Sequence, residues 1–194
     1  MKPSLLLDIL SVAEKLKCNT RHSWTSNGRQ ESIADHSWRL ALMAMLVRDE
    51  FPTLDIDKVI QMCLIHDLGE AFTGDIPTFE KTDADSVKED AVLNHWISAF
   101  PRPYNLELGE LLAEMNALKT DEARLYKALD NLEAVIAHDE SDINTWLPLE
   151  YDLQFTYGRD KVAFSPYLQD LKAEIDKRTT EKISSNHSKS ELLK

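Results

Sequence analysis

A chain of 194 residues with 43% hydrophobic side chains is long enough for one domain with a sizeable core and short for two. Its net charge of −12 excludes a nucleic-acid polymer as partner, because polymer binding rests on Lys and Arg neutralising phosphates. A small phosphorylated ligand stays open, since one local Arg or a metal outweighs a distant field.

The opening "MKPSLLLDILSVAEKLK" is interrupted by Asp8 and Glu14, so it reads as neither a signal peptide nor a membrane span, and no membrane partner is expected. Pro3-Ser4 starts an amphipathic helix whose apolar face runs through Leu6, Ile9, Leu10, Ala13 and Leu16. "CNTRHSWTSNGRQE" follows as a polar loop of about 14 residues, a length more often functional than decorative. With few glycines and no pattern of alternating strands, the chain leans towards helix, and no hairpin is expected. "SIAD", Ser32 to Asp35, is a capping-box-like start for a second helix. That helix carries Ile33, Leu40, Met43 and Val47 at helical spacing, with His36 on the same stripe and Pro52 as its stop. Asp55 caps a third, with Ile56, Val59, Ile60, Cys63 and Ile65 apolar and Gly69 near its end. "TGDIPTFEKTDAD" is a second irregular segment. The periodicity predicts further helices over 84–99, 106–118, 121–141 and 160–178, then a polar, disordered tail over 179–194. The expected architecture is all-α: one helical-bundle domain over residues 1–178. Cys18 and Cys63 stand far apart in no metal-like spacing and read as free thiols of a reducing compartment, so the expected location is cytoplasmic.

Four polar residues interrupt the apolar faces. His36 is in the first turns of the second helix, and His66-Asp67 closes the third in "CLIHDLGEAFTGD". Asp130 lies in "LYKALDNLEAVIAHDE", sharing a face with Ala123, Ala134 and Ala137. Burying such groups is costly unless something compensates them, and a metal would. Each also has a plainer reading: a core histidine bonded to a backbone carbonyl, or an aspartate paired with Arg124 or Lys127 of its own helix.

Taken together, His … His-Asp … Asp on separate helices resembles the HD-domain metal-dependent phosphohydrolase superfamily. The finer pattern is similar to its 5′-deoxynucleotidase subgroup. It consists of "E-S-[IV]-x-[DE]-H" at Glu31 to His36 and "H-D-x-x-E-x-x-x-G-D-[IL]-P" at His66 to Pro77, with an Arg and a Trp in the preceding loop. The resemblance covers roughly residues 5–170. It implies an HD-domain bundle with one divalent metal ion per chain on His36, His66, Asp67 and Asp130. Two imidazoles and two carboxylates without a thiolate suit Mn²⁺, Co²⁺, Fe²⁺, Ni²⁺ or Zn²⁺. Glu70, one helical turn after Asp67, is implied as general acid and base, so Asp67 and Glu70 form the catalytic set. Arg21 is implied to bind the substrate phosphate, which its fork of donors fits, and Trp24 to pack near the sugar. His22 and Ser23 separate these two, which resembles the eukaryotic-type arrangement. Asp75 is implied to hold the sugar 3′-hydroxyl, with the indole opposite leaving no room for a 2′-hydroxyl. Lys81 is either a second phosphate contact or a solvated lysine. His95, His138 and His187 match no motif and read as surface or packing residues; Trp38, Trp96 and Trp146 read as core or dimer contacts, since relatives of this type are commonly homodimers.

The implied reaction is hydrolysis of deoxyribonucleoside 5′-monophosphates, with a nucleotide as the small-molecule partner. The alternative is another HD chemistry, triphosphohydrolase or cyclic-nucleotide phosphodiesterase; the scarcity of cations beyond Arg21 argues against the former. A di-iron oxygenase would need more His ligands than this set supplies. A non-catalytic metal-stabilised interaction module predicts loss of Glu70 or of a ligand, and none is lost.

Overall fold

The computed structural model describes the backbone of residues 1–192 and the side chains of residues 1–186. In it, the residues that the sequence offers as caps start the helices. Helix α1 (Pro3–Ala13) has proline in its first turn, where the missing N–H costs nothing, and runs into a 3-10 turn, Glu14–Lys17. Ser32 starts α2 (Ile33–Leu46) with a full capping box: its side chain accepts from the Asp35 N–H, and the Asp35 carboxylate accepts from the Ser32 N–H. Asp55 caps α3 (Ile56–Ile65) by accepting from the Lys58 N–H. A tight turn leads into the short α4 (Glu70–Thr73), and Thr82 with Asp85 forms a second capping box for α5 (Asp83–Ser98). Helices α6 (Tyr104–Ala117), α7 (Asp121–Glu140), α8 (Glu150–Thr156) and α9 (Pro166–Leu192) follow. Among the described residues no helix is long and apolar enough to cross a membrane.

The chain divides into two compact units, one of Met1–His22 with Glu31–Tyr126, the other of Ser23–Gln30 with the chain from Lys127 on. In the first unit α2 packs along α3. Ile33, Leu40 and Ala44 of α2 and Val59, Met62 and Cys63 of α3 are fully buried. Leu93 and Ile97 of α5 and Leu111, Leu112 and Met115 of α6 extend this core. Each buried Val, Leu, Ile or Met side chain here contributes about 1.5–3 kcal/mol, so the helix ends that carry His36 and His66 are firmly placed. Leu16, Ile33 and Ala71 form a further buried cluster. It ties the turn after α1, the start of α2 and α4 together.

In the second unit Leu129, Leu132 and Val135 of α7 and Leu168 and Ile175 of α9 are buried. Lys172 is buried too, and its ammonium donates to the Gln154 carbonyl at 2.7 Å and to Asp176. Gly158 has a φ of +72°, and a Cβ there would lie 2.9 Å from the Cβ of Asn131. Both the left-handed backbone and the close approach select glycine. Gly158→Ala is therefore expected to destabilise the fold by about 1–3 kcal/mol. That lowers Tm by roughly 2–4 °C per kcal/mol, and an unchanged Tm would show that neither constraint operates.

The structure departs from the sequence expectations where local signals are short. The loop expected over 18–31 contains a hairpin of β1 (Thr20–Trp24) and β2 (Gln30–Ser32). Its tip is closed by the Thr25 N–H on the Arg29 carbonyl at 2.8 Å, with Gly28 at φ +82°. Asn27-Gly28 is the turn signal, but the polar strands beside it do not alternate, so periodicity misses them. Helix α8 has seven residues, too few to show a period. The last helix starts at Pro166 rather than at 160 and passes through the point where a tail was expected. Thr179 is buried there, and its hydroxyl donates to Asp139 at 2.8 Å. The side chains of the expected tail from His187 on lie outside the described residues. Helix α1 buries none of its own residues: Leu6, Leu7 and Leu10 are exposed.

Candidate metal centre

His36 is the fourth residue of α2, one turn beyond the Ser32 cap, and is almost wholly buried. His66 is the C-cap of α3. Beyond it the backbone tightens to i→i+3 hydrogen bonds: Leu68 N–H to Ile65 O, Glu70 N–H to Asp67 O and Phe72 N–H to Gly69 O. Residues three apart eclipse in such a turn, so Asp67 and Glu70 face the same way even though α3 has already ended.

Three donor atoms converge here. The two Nε2 atoms of His36 and His66 are 3.2 Å apart; Asp67 Oδ2 lies 3.0 Å from His66 Nε2 and 3.9 Å from His36 Nε2. His66 Nδ1 is 2.9 Å from the Cys63 carbonyl, which can only accept, so Nδ1 carries the proton and the Nε2 lone pair faces the cluster. The ring of Tyr126 supports His66 edge-on, with centroids 5.6 Å apart. Neighbouring ligands on a divalent ion with bonds of about 2.1 Å lie roughly 3.0 Å apart in an octahedron and 3.4 Å in a tetrahedron. The 3.2 and 3.0 Å separations match that spacing, the 3.9 Å from His36 to Asp67 is wider, and the donor set fits a divalent metal.

A carboxylate cluster adjoins it. Asp67, Glu70 and Glu89 bring oxygens within 4.8 Å of one another. Glu70 is 3% exposed, and its Oε2 has no hydrogen-bond partner among the described residues. Burial above all, then the charges of Asp67, Asp75 and Glu89, push its carboxyl up to about 9, with Lys81 pulling the other way. A buried carboxyl so perturbed beside a cluster of metal-type donors marks a candidate functional group. The Lys81 ammonium is half-buried, 2.7 Å from Glu89 Oε2 and 3.6 Å from Glu70 Oε1. Burial lowers its pKa, but the Glu89 hydrogen bond and the surrounding carboxylates outweigh that and raise it.

Arg21, on β1, places Nη1 3.0 Å from Oε2 of the buried Glu31, whose Oε1 lies 3.9 Å from Arg39 of α2. Asp75 shares this field. Burial raises its pKa and, with the Asp67 charge, outweighs Arg21, Lys81 and a hydrogen bond from the His22 backbone, which lower it. The structure thus brings His36, His66, Asp67, Glu70, Asp75, Lys81 and Arg21 into the first unit. Trp24 and Asp130 belong to the second. There Asp130 is buried and its Oδ2 accepts from Lys127 at 2.7 Å, the pairing within α7 that the sequence allowed.

The remaining singled-out residues are spread over the fold. His95 is exposed, and His138 pairs with Glu150 at 2.8 Å. Trp146 is buried and Trp96 stacks edge-on against Phe72 and Phe100, whereas Trp38 is 65% exposed and is no core residue. Sequence reasoning assigned no role to Glu31, although it opens the quoted motif, or to Glu89. Glu89 stands in the polar stretch "DADSVKED", which carries no local signal.

Fold and site define an all-α protein that gathers His and Asp donors fit for a divalent ion at its helix ends. The chain belongs to the HD domain family, whose model matches residues 13–172. It is 30% identical over 139 residues to the 5′-deoxynucleotidase HDDC2 of Mus musculus, spanning 70% of this chain and 69% of that protein. Its fold is shared with a predicted metal-dependent phosphohydrolase from Magnetospirillum magnetotacticum, with TM-score 0.75 and 22% identity over 92% of this chain and 93% of that one. It is shared also with the cyanophage S-2L HD phosphohydrolase DatZ, bound to dA and one catalytic Zn²⁺ ion. That match has TM-score 0.62 and 20% identity over 88% of this chain and 96% of the other.

Proposed function

We propose that the chain is a metal-dependent 5′-deoxynucleotidase, hydrolysing deoxyribonucleoside 5′-monophosphates to deoxynucleoside and phosphate. The observation that carries this reading is the His36, His66 and Asp67 cluster with the buried Glu70 beside it. The likeness to 5′-deoxynucleotidases supports the substrate class. Asp130 is the fourth ligand in this reading, and each chain takes one divalent ion, Mn²⁺, Co²⁺, Fe²⁺, Ni²⁺ or Zn²⁺. Such an ion supplies Lewis-acid polarisation of a phosphoryl oxygen and lowers the pKa of a water. With the cation's charge favouring its ionised form, Glu70 would take a proton from the attacking water and return it to the leaving 5′-oxygen. Arg21 and Lys81 bind the phosphate; Lys81 has one of its three N–H groups on Glu89, and two more can point to phosphate oxygens. Asp75 accepts from the 3′-hydroxyl, and the Trp24 indole excludes a 2′-hydroxyl. The free thiols of Cys18 and Cys63 support a cytoplasmic setting, and exposed apolar side chains such as Leu7, Trp38 and Leu46 support a homodimer.

The test is phosphate release from dAMP, AMP and dATP after chelation and reloading with each ion. Activity on dAMP is expected to vanish with the metal and return with Mn²⁺ or Co²⁺. An unpaired or clashing 2′-hydroxyl is worth about 1–3 kcal/mol, so dAMP should lead AMP by about 5- to 150-fold in kcat/KM, and Trp24→Ala should narrow the gap. Full turnover in verified metal-free protein would refute the metal-dependent reading, and equal values for dAMP and AMP would refute the sugar selection alone.

A further inference from the structure

We propose that Glu89 is a positioning residue for phosphate binding: it holds the Lys81 ammonium beside Glu70, so that the lysine meets the substrate already placed. The inference rests on the reading above in one respect, that Lys81 contacts the phosphate. Lys81 lies in the irregular stretch between α4 and α5, where a long, flexible stem samples many rotamers and must be ordered when an anion binds. Helix α5 supplies the restraint. Glu89, two turns into it, accepts from Lys81 Nζ at 2.7 Å, which leaves the ammonium 3.6 Å from Glu70 Oε1. The Glu89 carboxylate is 13% exposed and the Lys81 side chain 26%, so water screens the pair only in part.

Glu89 is itself held from beneath. A Cβ on Gly69 would stand 2.6 Å from Glu89 Cγ and 3.3 Å from its carbonyl oxygen. Gly69 has a φ of −60°, which any residue adopts, so the close approach of Glu89 is what requires glycine between His66-Asp67 and Glu70. The chain therefore keeps a small residue inside its metal-binding turn in order to seat a glutamate from α5. That glutamate's hydrogen bond goes to Lys81.

A rival role for Glu89 has the opposite sign. If it served only to neutralise Lys81, its removal would strengthen phosphate binding. If it places Lys81, its removal weakens binding, and a neutral acceptor of the same shape restores it. The experiment measures kcat and KM for dAMP and inhibition by inorganic phosphate in the metal-loaded enzyme, with Tm for each variant. Glu89→Ala is expected to raise KM and the phosphate inhibition constant by about 2- to 12-fold, the change that matches ordering one rotamer-rich side chain, with kcat within about twofold. Glu89→Gln returns both to near wild type. In a Lys81→Met background Glu89→Ala adds nothing, as expected for residues acting through one contact. Glu89→Asp, which keeps the charge but draws the carboxylate back from Lys81, shifts KM in the same direction and gives a second route should Glu89→Ala fold poorly. If Lys81→Met leaves KM unchanged, the phosphate-contact reading fails and takes this inference with it. If Lys81→Met raises KM while Glu89→Ala leaves or lowers it, or if the Glu89→Ala effect persists in the Lys81→Met background, the positioning role alone is overturned.

Discussion

Glu70→Gln is expected to lower kcat on dAMP by about 10²- to 10⁴-fold, the range a positioned general acid and base supplies, while bound metal and KM stay near wild type. The substitution keeps the size of a side chain that is 3% exposed and removes only its capacity to exchange a proton. Glu70 is not in the His36, His66 and Asp67 donor group, although it adjoins Asp67 in the carboxylate cluster, so metal content is measured beside kcat: a Glu70→Gln protein that loses its metal would make Glu70 a ligand instead. The same residue gives the metal-free protein a pH dependence whose sign is fixed. In that state its carboxyl titrates at about 9, against an ordinary value of 4.5. Between those values the folded protein holds a proton that the unfolded chain has released. The stability this confers is complete below about pH 4.5 and is lost as pH rises towards about 9, by an amount of order a few kcal/mol. Chelator-treated wild type should therefore lose Tm steadily from about pH 5 to about pH 9, and Glu70→Gln should lose much less. Parallel Tm–pH curves for the two proteins would mean that burial and neighbouring carboxylates do not hold the proton on Glu70.

What could be read from the sequence is what local chemistry determines. Ser32 with Asp35, and Asp55, announce their helices because a cap needs only the next three residues. His36, His66 and Asp67 are legible because each breaks an apolar stripe and because their order matches a known pattern. Glu70 follows from the same family pattern, and the orientation its spacing predicts survives the end of α3 since the turn that replaces helix still sets residues three apart on one side. Hidden from the sequence is whatever depends on which element comes to lie alongside. The pairing of Lys81 with Glu89 shows only when α5 comes to lie alongside. Glu31 is part of a motif, but its work as the partner of Arg21 shows only when β1 and β2 pair. Thr179 opens a polar run and is nevertheless buried, because Asp139 of α7 needs a donor there. In each case the missing term is a contact distant in sequence, which no window of neighbouring residues contains.

His66→Ala is expected to lower divalent-metal affinity by at least about 10²-fold and to take turnover down with it. An outer residue that merely orients a ligand is worth about 10- to 100-fold, and His66 stands among the donor atoms themselves. Its imidazole does two things that a substitute cannot. The Nδ1–H on the Cys63 carbonyl fixes the ring, and that fixed ring presents Nε2 at 3.0 Å from Asp67 and 3.2 Å from His36. Alanine leaves an open ligand position and leaves Asp67 without the imidazole that confronts it. His36 sits on the turn that follows the Ser32 cap, so α2 should keep its place and the loss should read as chemistry rather than unfolding. The measurement is metal content after dialysis, together with kcat/KM on dAMP and a far-ultraviolet circular dichroism spectrum. His95→Ala, on an exposed position of α5, is the matched control and should change none of them. Asp130→Asn, carried through the same assay, reads the proposed fourth ligand: it should lose metal while keeping its volume, because the amide lacks the charge that offsets a cation. A His66→Ala protein that retains one equivalent of metal after dialysis and still turns over dAMP would show that the ion is held elsewhere.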